Sequence, residues 1–261
     1  MRVTQLDGGA FTSAAGIWRS GESLGRMVRF PIPVYLIEVG EERILVDTGL
    51  HPGAVVDAAS HYEGAENMRN FRLEQAVPLA EQVDLRSLTR VVMTHLHFDH
   101  AGGLDLLPEA VPVYLQRREW EGARDPESIA KNFFLPRDYE GVADQVVLVD
   151  GDHDMLGDGS VELLSTPGHT PGHQSVKVGE GLVIAGDVSH FAAGFDDHRF
   201  PLFGDDLDAQ RASAERLRAL REAGAEVRPG HDPAVLAPGP IPLREAGADR
   251  PTEGDTQSQS K

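Results

Sequence analysis

The chain of 261 residues contains no cysteine. That absence excludes disulfides, thiolate metal sites and a cysteine nucleophile, so any metal must be held by imidazole and carboxylate. Lysine is scarce, with Lys131, Lys177 and Lys261 the only three. Long apolar runs are missing too. Nothing approaches the roughly 20 apolar residues of a membrane span, and the most apolar early stretch, 27–39, is interrupted by Arg29, Pro31 and Pro33. No segment near Met1 has the apolar core of a signal peptide. A soluble, cytoplasmic protein with no membrane partner is expected.

Positive charge is also in deficit. With 42 acidic and 24 basic residues, the formal net charge is −18. Such a surface repels phosphate backbones, so no nucleic-acid partner is expected. Otherwise the composition, 40% hydrophobic and 25% charged, is that of a globular domain able to bury a substantial core.

Short aliphatic runs bounded by Gly, Pro or Asp predict strands over 34–39, 43–47, 90–94, 111–115, 146–149, 161–165, 175–178 and 182–185. Gly40-Glu41-Glu42 predicts a hairpin between the first two. A helix is expected over 208–223, with Ala214, Leu217 and Leu220 on one stripe, Asp206 or Asp208 as cap and Gly224 after its end. Another is expected over 116–123, and a third within 73–83, begun or broken by Pro78. Strands and helices do not alternate strictly, which suits an α/β protein of two packed sheets with helices outside. Residues 1–244 read as one domain. The polar stretch 245–261 reads as a disordered tail.

The densest chemistry lies in Thr94-His95-Leu96-His97-Phe98-Asp99-His100-Ala101-Gly102-Gly103, directly after the strand 90–94. Four metal-competent side chains within six residues would be costly to cluster without a cation. If strand geometry persists, His95, His97 and Asp99 point one way and His100 faces a neighbouring site, so one segment can serve two metals. Three later segments deliver further ligand types from tight turns: Pro167-Gly168-His169 with His173 four residues on, Gly186-Asp187, and Pro229-Gly230-His231-Asp232.

This set resembles the metallo-β-lactamase superfamily, whose pattern is H-x-H-x-D-H followed by a separate His, an Asp and a last His. The resemblance runs from about Val34 to His231. Within it, the chain is most similar to the N-acyl homoserine lactone lactonases, through 95–103, through Thr166-Pro167-Gly168-His169-Thr170-Pro171-Gly172-His173-Gln174-Ser175, and through Gln116-Arg117-Arg118-Glu119 and Gly230-His231-Asp232. It implies a four-layer αβ/βα sandwich of two mixed sheets. It also implies one metal on His95, His97 and His169, a second on Asp99, His100 and His231, and Asp187 bridging them. Zinc suits this nitrogen and oxygen set, with manganese, iron or cobalt as other divalent occupants. Asp47, in Asp47-Thr48-Gly49, is expected to brace the metal loop by hydrogen bonds. An aspartic-protease role would need a second such carboxylate, and the sequence has only one copy.

The expected reaction is opening of a lactone by a hydroxide between the two ions, its pKa lowered from about 15.7 to about 7. Asp99 would carry the proton to the leaving alkoxide. The lactonases usually have Tyr three residues after the bridging Asp. Here the residue is His190, which can also donate a hydrogen bond to a carbonyl and is expected to take part in catalysis. Phe133, Phe134 and Phe191 are expected to line a greasy substrate pocket. The other reading is a glyoxalase II-like thioesterase or another carboxylic ester hydrolase, although only 30 residues follow His231 for a glutathione-holding segment. The partner expected is a small lactone or ester, and the oligomeric state is left open.

Overall fold

Alternation along one strand decides how the layers form. On β2 (Met27–Val39) the side chains of Tyr35 and Ile37 point to one side and those of Val34 and Leu36 to the other, and all four are buried. A strand buried on both faces belongs in the middle of a sandwich. The computed structural model describes residues 1–65, 68, 71–201 and 203–243, so the expected tail lies outside the described residues.

One sheet contains β1 (Arg2–Ala14), β2, β3 (Glu42–Val46), β4 (Arg72–Glu74), β5 (Arg90–Val92), β6 (Val113–Gln116), β7 (Val146–Val149) and β13 (Gly239–Ile241). Its order is β13-β1-β2-β3-β5-β6-β7, with β4 also on β1. The other contains β8 (His153–Asp154), β9 (Val161–Ser165), β10 (Gln174–Val178), β11 (Leu182–Ile184) and β12 (Glu226–Arg228), in the order β12-β11-β10-β9-β8. Each sheet mixes parallel and antiparallel pairs.

Between the sheets, Val3, Tyr35, Ile37, Ile44, Val46 and Val92 meet Val161, Leu163, Val176, Val178, Leu182 and Ile184. Outside the first sheet, Val34, Leu36, Leu45, Val91 and Met93 pack on Leu79, Leu104 and Trp120. Outside the second, Val183 and Ala185 pack on Ala214 and Leu217 of the helix Leu207–Glu222. The layers are helix, sheet, sheet, helix, as the four-layer α/β sandwich requires. Asp206 caps that last helix through the amides of Asp208 and Ala209, at 2.9 and 3.0 Å. Such a cap contributes about 1 kcal/mol.

One expectation needs correction, and one strand was not expected. The helix expected within 73–83 is confined to Leu79–Gln82, because Pro78 fixes its start and Arg72–Glu74 is drawn into strand pairing with β1. The long β1 was not foreseen. Its register shifts between Asp7 and Ala10, at Gly8-Gly9, which breaks the alternation that would betray a strand.

A candidate metal centre at the strand ends

Every candidate ligand follows the C-terminal end of a strand: 95–100 after β5, His169 after β9, Asp187 after β11 and His231 after β12. The first group comes from one sheet and the other three residues from its partner sheet. The segment 95–100 does not remain extended as expected. It turns into the short helix Phe98–Ala101, where the amides of His100 and Ala101 both donate to the carbonyl of His97. That turn, and not strand alternation, separates His95 and His97 from Asp99 and His100.

The candidate ligand atoms gather in the two sets that the resemblance implies. His95, His97 and His169 form one set and Asp99, His100 and His231 another, each with its atoms within 4.8 Å. In the first, Nδ1 of His97 lies 3.0 Å from Nε2 of both His95 and His169. In the second, Nε2 of His231 is 3.4 Å from Nε2 of His100 and 3.3 Å from Oδ2 of Asp99. Asp187 stands between the sets. Its Oδ2 is 3.4 Å from His169 and 3.9 Å from His95, whereas its Oδ1 is 3.2 Å from His231 and 3.6 Å from His100. Gly230 permits this approach, since a β-carbon there would collide with Oδ1 of Asp187.

For four of the five rings, all but His169, a hydrogen bond on the far side fixes which nitrogen faces inward. Nε2 of His97 donates to the Asn132 carbonyl at 2.7 Å, so Nδ1 is its free lone pair. Nδ1 of His231 donates to the Pro31 carbonyl at 2.9 Å, and Nδ1 of His100 to Oδ2 of Asp47 at 2.8 Å. Thr94 gives its hydroxyl proton to Asp47 and accepts from Nδ1 of His95 at 3.0 Å. Asp47 thus hydrogen-bonds to Thr94 and His100, at both ends of the segment 94–100. His173, which belongs to neither set, accepts the backbone N–H of Asp187 at 2.9 Å.

The donor set fits divalent cations on two observations. Nε2 of His95 and Nδ1 of His97, whose outer nitrogens carry the protons, face one another at 3.0 Å with no donor between them. In addition, Oδ1 of Asp187, although buried, has no hydrogen-bond partner among the described residues. Burial holds His95, His97 and His169 below the usual imidazole range, which keeps them neutral as ligands must be. Burial alone would do the same to His100, but the carboxylates of Asp187, Asp47 and Asp99 push it up to about 10. Burial opposes ionisation of Asp187 as well. Even so, His231, His190 and His100 hold it well below the ordinary carboxylate value.

The family model described as the metallo-β-lactamase superfamily matches residues 27–225. The chain belongs to the metallo-β-lactamase superfamily. It is an enzyme of the metal-dependent hydrolase class found there. Among curated members it is similar to the N-acyl homoserine lactonase of Bacillus cereus, 33% identical over 208 residues, which cover 75% of this chain and 78% of the relative. It is also similar to the N-acyl homoserine lactonase AttM of Azorhizobium caulinodans, 29% identical over 89% of this chain and 94% of the relative. The superfamily fold is shared with a solved N-acyl homoserine lactone hydrolase carrying N-hexanoyl-L-homoserine at its catalytic metal center. That structure has a TM-score of 0.74 and 24% identity, and the match covers 89% of this chain and 94% of that one. AidC, a dizinc quorum-quenching lactonase, shares the fold at a TM-score of 0.65 and 17% identity, covering 95% of each chain.

A cleft of about 400 Å³ opens on His97, Asp99 and Asp187. Apart from these and Ser13, its walls are Ala14, Ile17, Trp18, Met27, Met68, Phe71, Phe98, Phe133 and Phe203. Of the three expected pocket phenylalanines, Phe133 lines the cleft and is 52% exposed. Phe134 is 2% exposed and sits in the core behind His97, 5.7 Å from its ring. Phe191 packs on Phe30 and is not in the cleft wall. His190 is buried, with Nε2 3.1 Å from Oδ2 of Asp187 and its ring 5.3 Å from Trp18. Trp18, Ile17 and Met27 were missed, because they belong to the N-terminal hairpin whose first strand carried no clear pattern.

Proposed function

We propose that this enzyme opens a lactone ring, an N-acyl homoserine lactone or a related compound, at a pair of divalent cations, with zinc the first choice. The observation that carries this reading is the apolar, aromatic cleft leading directly to His97, Asp99 and Asp187, on a chain 33% identical to a curated N-acyl homoserine lactonase. A cleft of that size and lining takes an acyl chain and excludes water from it.

His95, His97 and His169 would hold one cation, Asp99, His100 and His231 the other, and Asp187 would face both. Bound there, the pair would lower the pKa of an attacking water towards neutrality, polarise the lactone carbonyl and neutralise the departing alkoxide. The Asp99 carboxylate, on the cleft wall, takes the water's proton and delivers it to the ring oxygen as the C–O bond breaks. His190, whose Nε2 lies 3.1 Å from Oδ2 of Asp187, gives an N–H to the carbonyl oxygen as charge develops there. The ring-opened product is a hydroxy acid.

The test is a hydrolysis panel on metal-replete protein, followed by proton release. It contains acyl homoserine lactones of several chain lengths, an aromatic lactone, a thioester and a β-lactam. Turnover of the acyl lactones ahead of the rest is expected. Selective turnover of the thioester would replace this reading with a glyoxalase II-like one.

A further inference from the structure

Resting on the metal-centre reading above, we propose that Glu119 is a positioning residue that locks together the two loops carrying His95, His97 and His169. Its Oε1 accepts the amide of Leu96 at 3.0 Å, the residue between two of these ligands. Its Oε2 accepts the hydroxyl of Thr170 at 2.8 Å and the amide of Gly172 at 2.9 Å, next to and just beyond the third ligand. The Leu96 loop leaves β5 in one sheet and the Thr170 loop leaves β9 in the other. A single carboxylate, standing on the short helix Arg117–Gly122, therefore spans the junction of the sheets.

A carboxylate is an expensive way to fill this position. Glu119 is 0% exposed, and burial pushes its carboxyl up to about 7. All three partners are neutral donors, and where no geometry is being enforced an apolar side chain fills such a space at lower cost. Its acceptor capacity is what the site requires. Without it the amides of Leu96 and Gly172 would be buried unpaired, at about 1–3 kcal/mol each. Gly172 allows the close approach, since a β-carbon there would collide with the backbone nitrogen of Glu119. The opposite half of the ligand segment has its own brace. The Thr48 amide and hydroxyl both donate to the His100 carbonyl, at 2.7 and 2.8 Å, and Asp47 takes the His100 ring. Asp47 also reaches His95 through Thr94, whereas Glu119 touches only the loops of His95, His97 and His169, so losing Glu119 should unsettle that one site.

Glu119→Gln tests this. The amide keeps the shape but offers one acceptor and one donor group, so it can hold either the Leu96 side or the Thr170–Gly172 side. Metal binding is followed by competition with a graded chelator, giving two stepwise affinities for zinc. One step is expected to weaken about 10- to 100-fold while the other is unchanged. The weakened step is assigned with cobalt. The visible spectrum of one-ion Glu119→Gln should match that of one-ion His97→Ala, not that of His231→Ala. Should Glu119→Gln fail to fold, Thr170→Val removes one of the three donors and should weaken the same step by a smaller factor. Equal weakening of both steps, or unchanged affinities beside a lowered melting temperature of the metal-free protein, would overturn the proposal. Wild-type protein holding fewer than two ions would instead sink the metal-centre reading, and this inference with it.

Discussion

Oδ2 of Asp47 lies 2.8 Å from Nδ1 of His100, while Oδ1 of the same carboxylate takes the amide of Thr94 at 2.7 Å. Asp47 reaches both from a left-handed backbone conformation, with φ +61°. It is one of three non-glycine residues with positive φ among those described. The strained turn at the end of β3 aims one acid at both ends of the ligand segment, and the fold tolerates that strain because the contacts there are fully buried. Asp47→Asn keeps a side chain that accepts this backbone conformation but places an amide where two acceptor oxygens are needed. Metal affinity is expected to fall about 10- to 100-fold, as measured by chelator competition. Unchanged affinity would show that Asp47 serves the turn alone.

Asp99 touches the cleft and, through Oδ2, the second ligand set. Asp99→Asn in protein verified to hold both ions should lower kcat by about 10²- to 10⁴-fold, the usual range for a lost proton carrier. KM should change little. Full turnover in a metal-loaded variant would remove the proton-transfer role.

The neighbours Phe133 and Phe134 should separate cleanly. Phe133 is the left-handed cap of the helix Pro126–Asn132 and reaches the cleft, so Phe133→Ala should raise KM for long acyl chains more than for short ones and leave the melting temperature nearly unchanged. Phe134 lies among Trp120 and Tyr139 in the core, and truncating it to Ala should cost about 3–5 kcal/mol, measured by urea unfolding. A uniform KM effect across chain lengths for Phe133→Ala would argue against an acyl-chain contact.

Asp138 gives a pH dependence of stability apart from the metal centre. It is buried, its Oδ2 has no hydrogen-bond partner among the described residues, and burial pushes its carboxyl up to about 8. In the unfolded chain it returns to about 3.9. Between those values the folded protein holds a proton that the unfolded chain releases. This contribution is therefore full below about pH 4 and is lost as pH rises through about 8. Melting curves of metal-saturated protein from pH 6 to 9 should fall more steeply for wild type than for Asp138→Asn. Parallel curves would mean that this carboxyl does not titrate with folding.

The eight predicted strands all appear, because aliphatic runs between turn residues carry their own signal. The helix expected over 208–223 is found at Leu207–Glu222, because its apolar stripe is periodic. The candidate ligands were legible from the H-x-H-x-D-H pattern and the three later turns, but their grouping came from the resemblance alone, since strand alternation would have put Asp99 with His95 and His97. What could not be read was long-range. The strand β1 hides behind Gly8-Gly9, and the cleft wall is built from residues as distant as Trp18 and Phe203, brought together only by tertiary packing. Glu119 stood in a stretch that carries part of the resemblance, but its task was hidden, since an acid beside Arg117 and Arg118 reads as surface charge until its burial is known. Phe133 and Phe134 could not be told apart from sequence because a single left-handed residue at a helix end sends adjacent side chains in opposite directions.

The two sheets supply the candidate ligands separately, His95 to His100 from one and His169, Asp187 and His231 from the other. Any ions seated there act as rivets through the sandwich. A chain short of metal would lack that cross-link and present a looser joint to proteases, so metal supply would govern the enzyme's lifetime as well as its turnover.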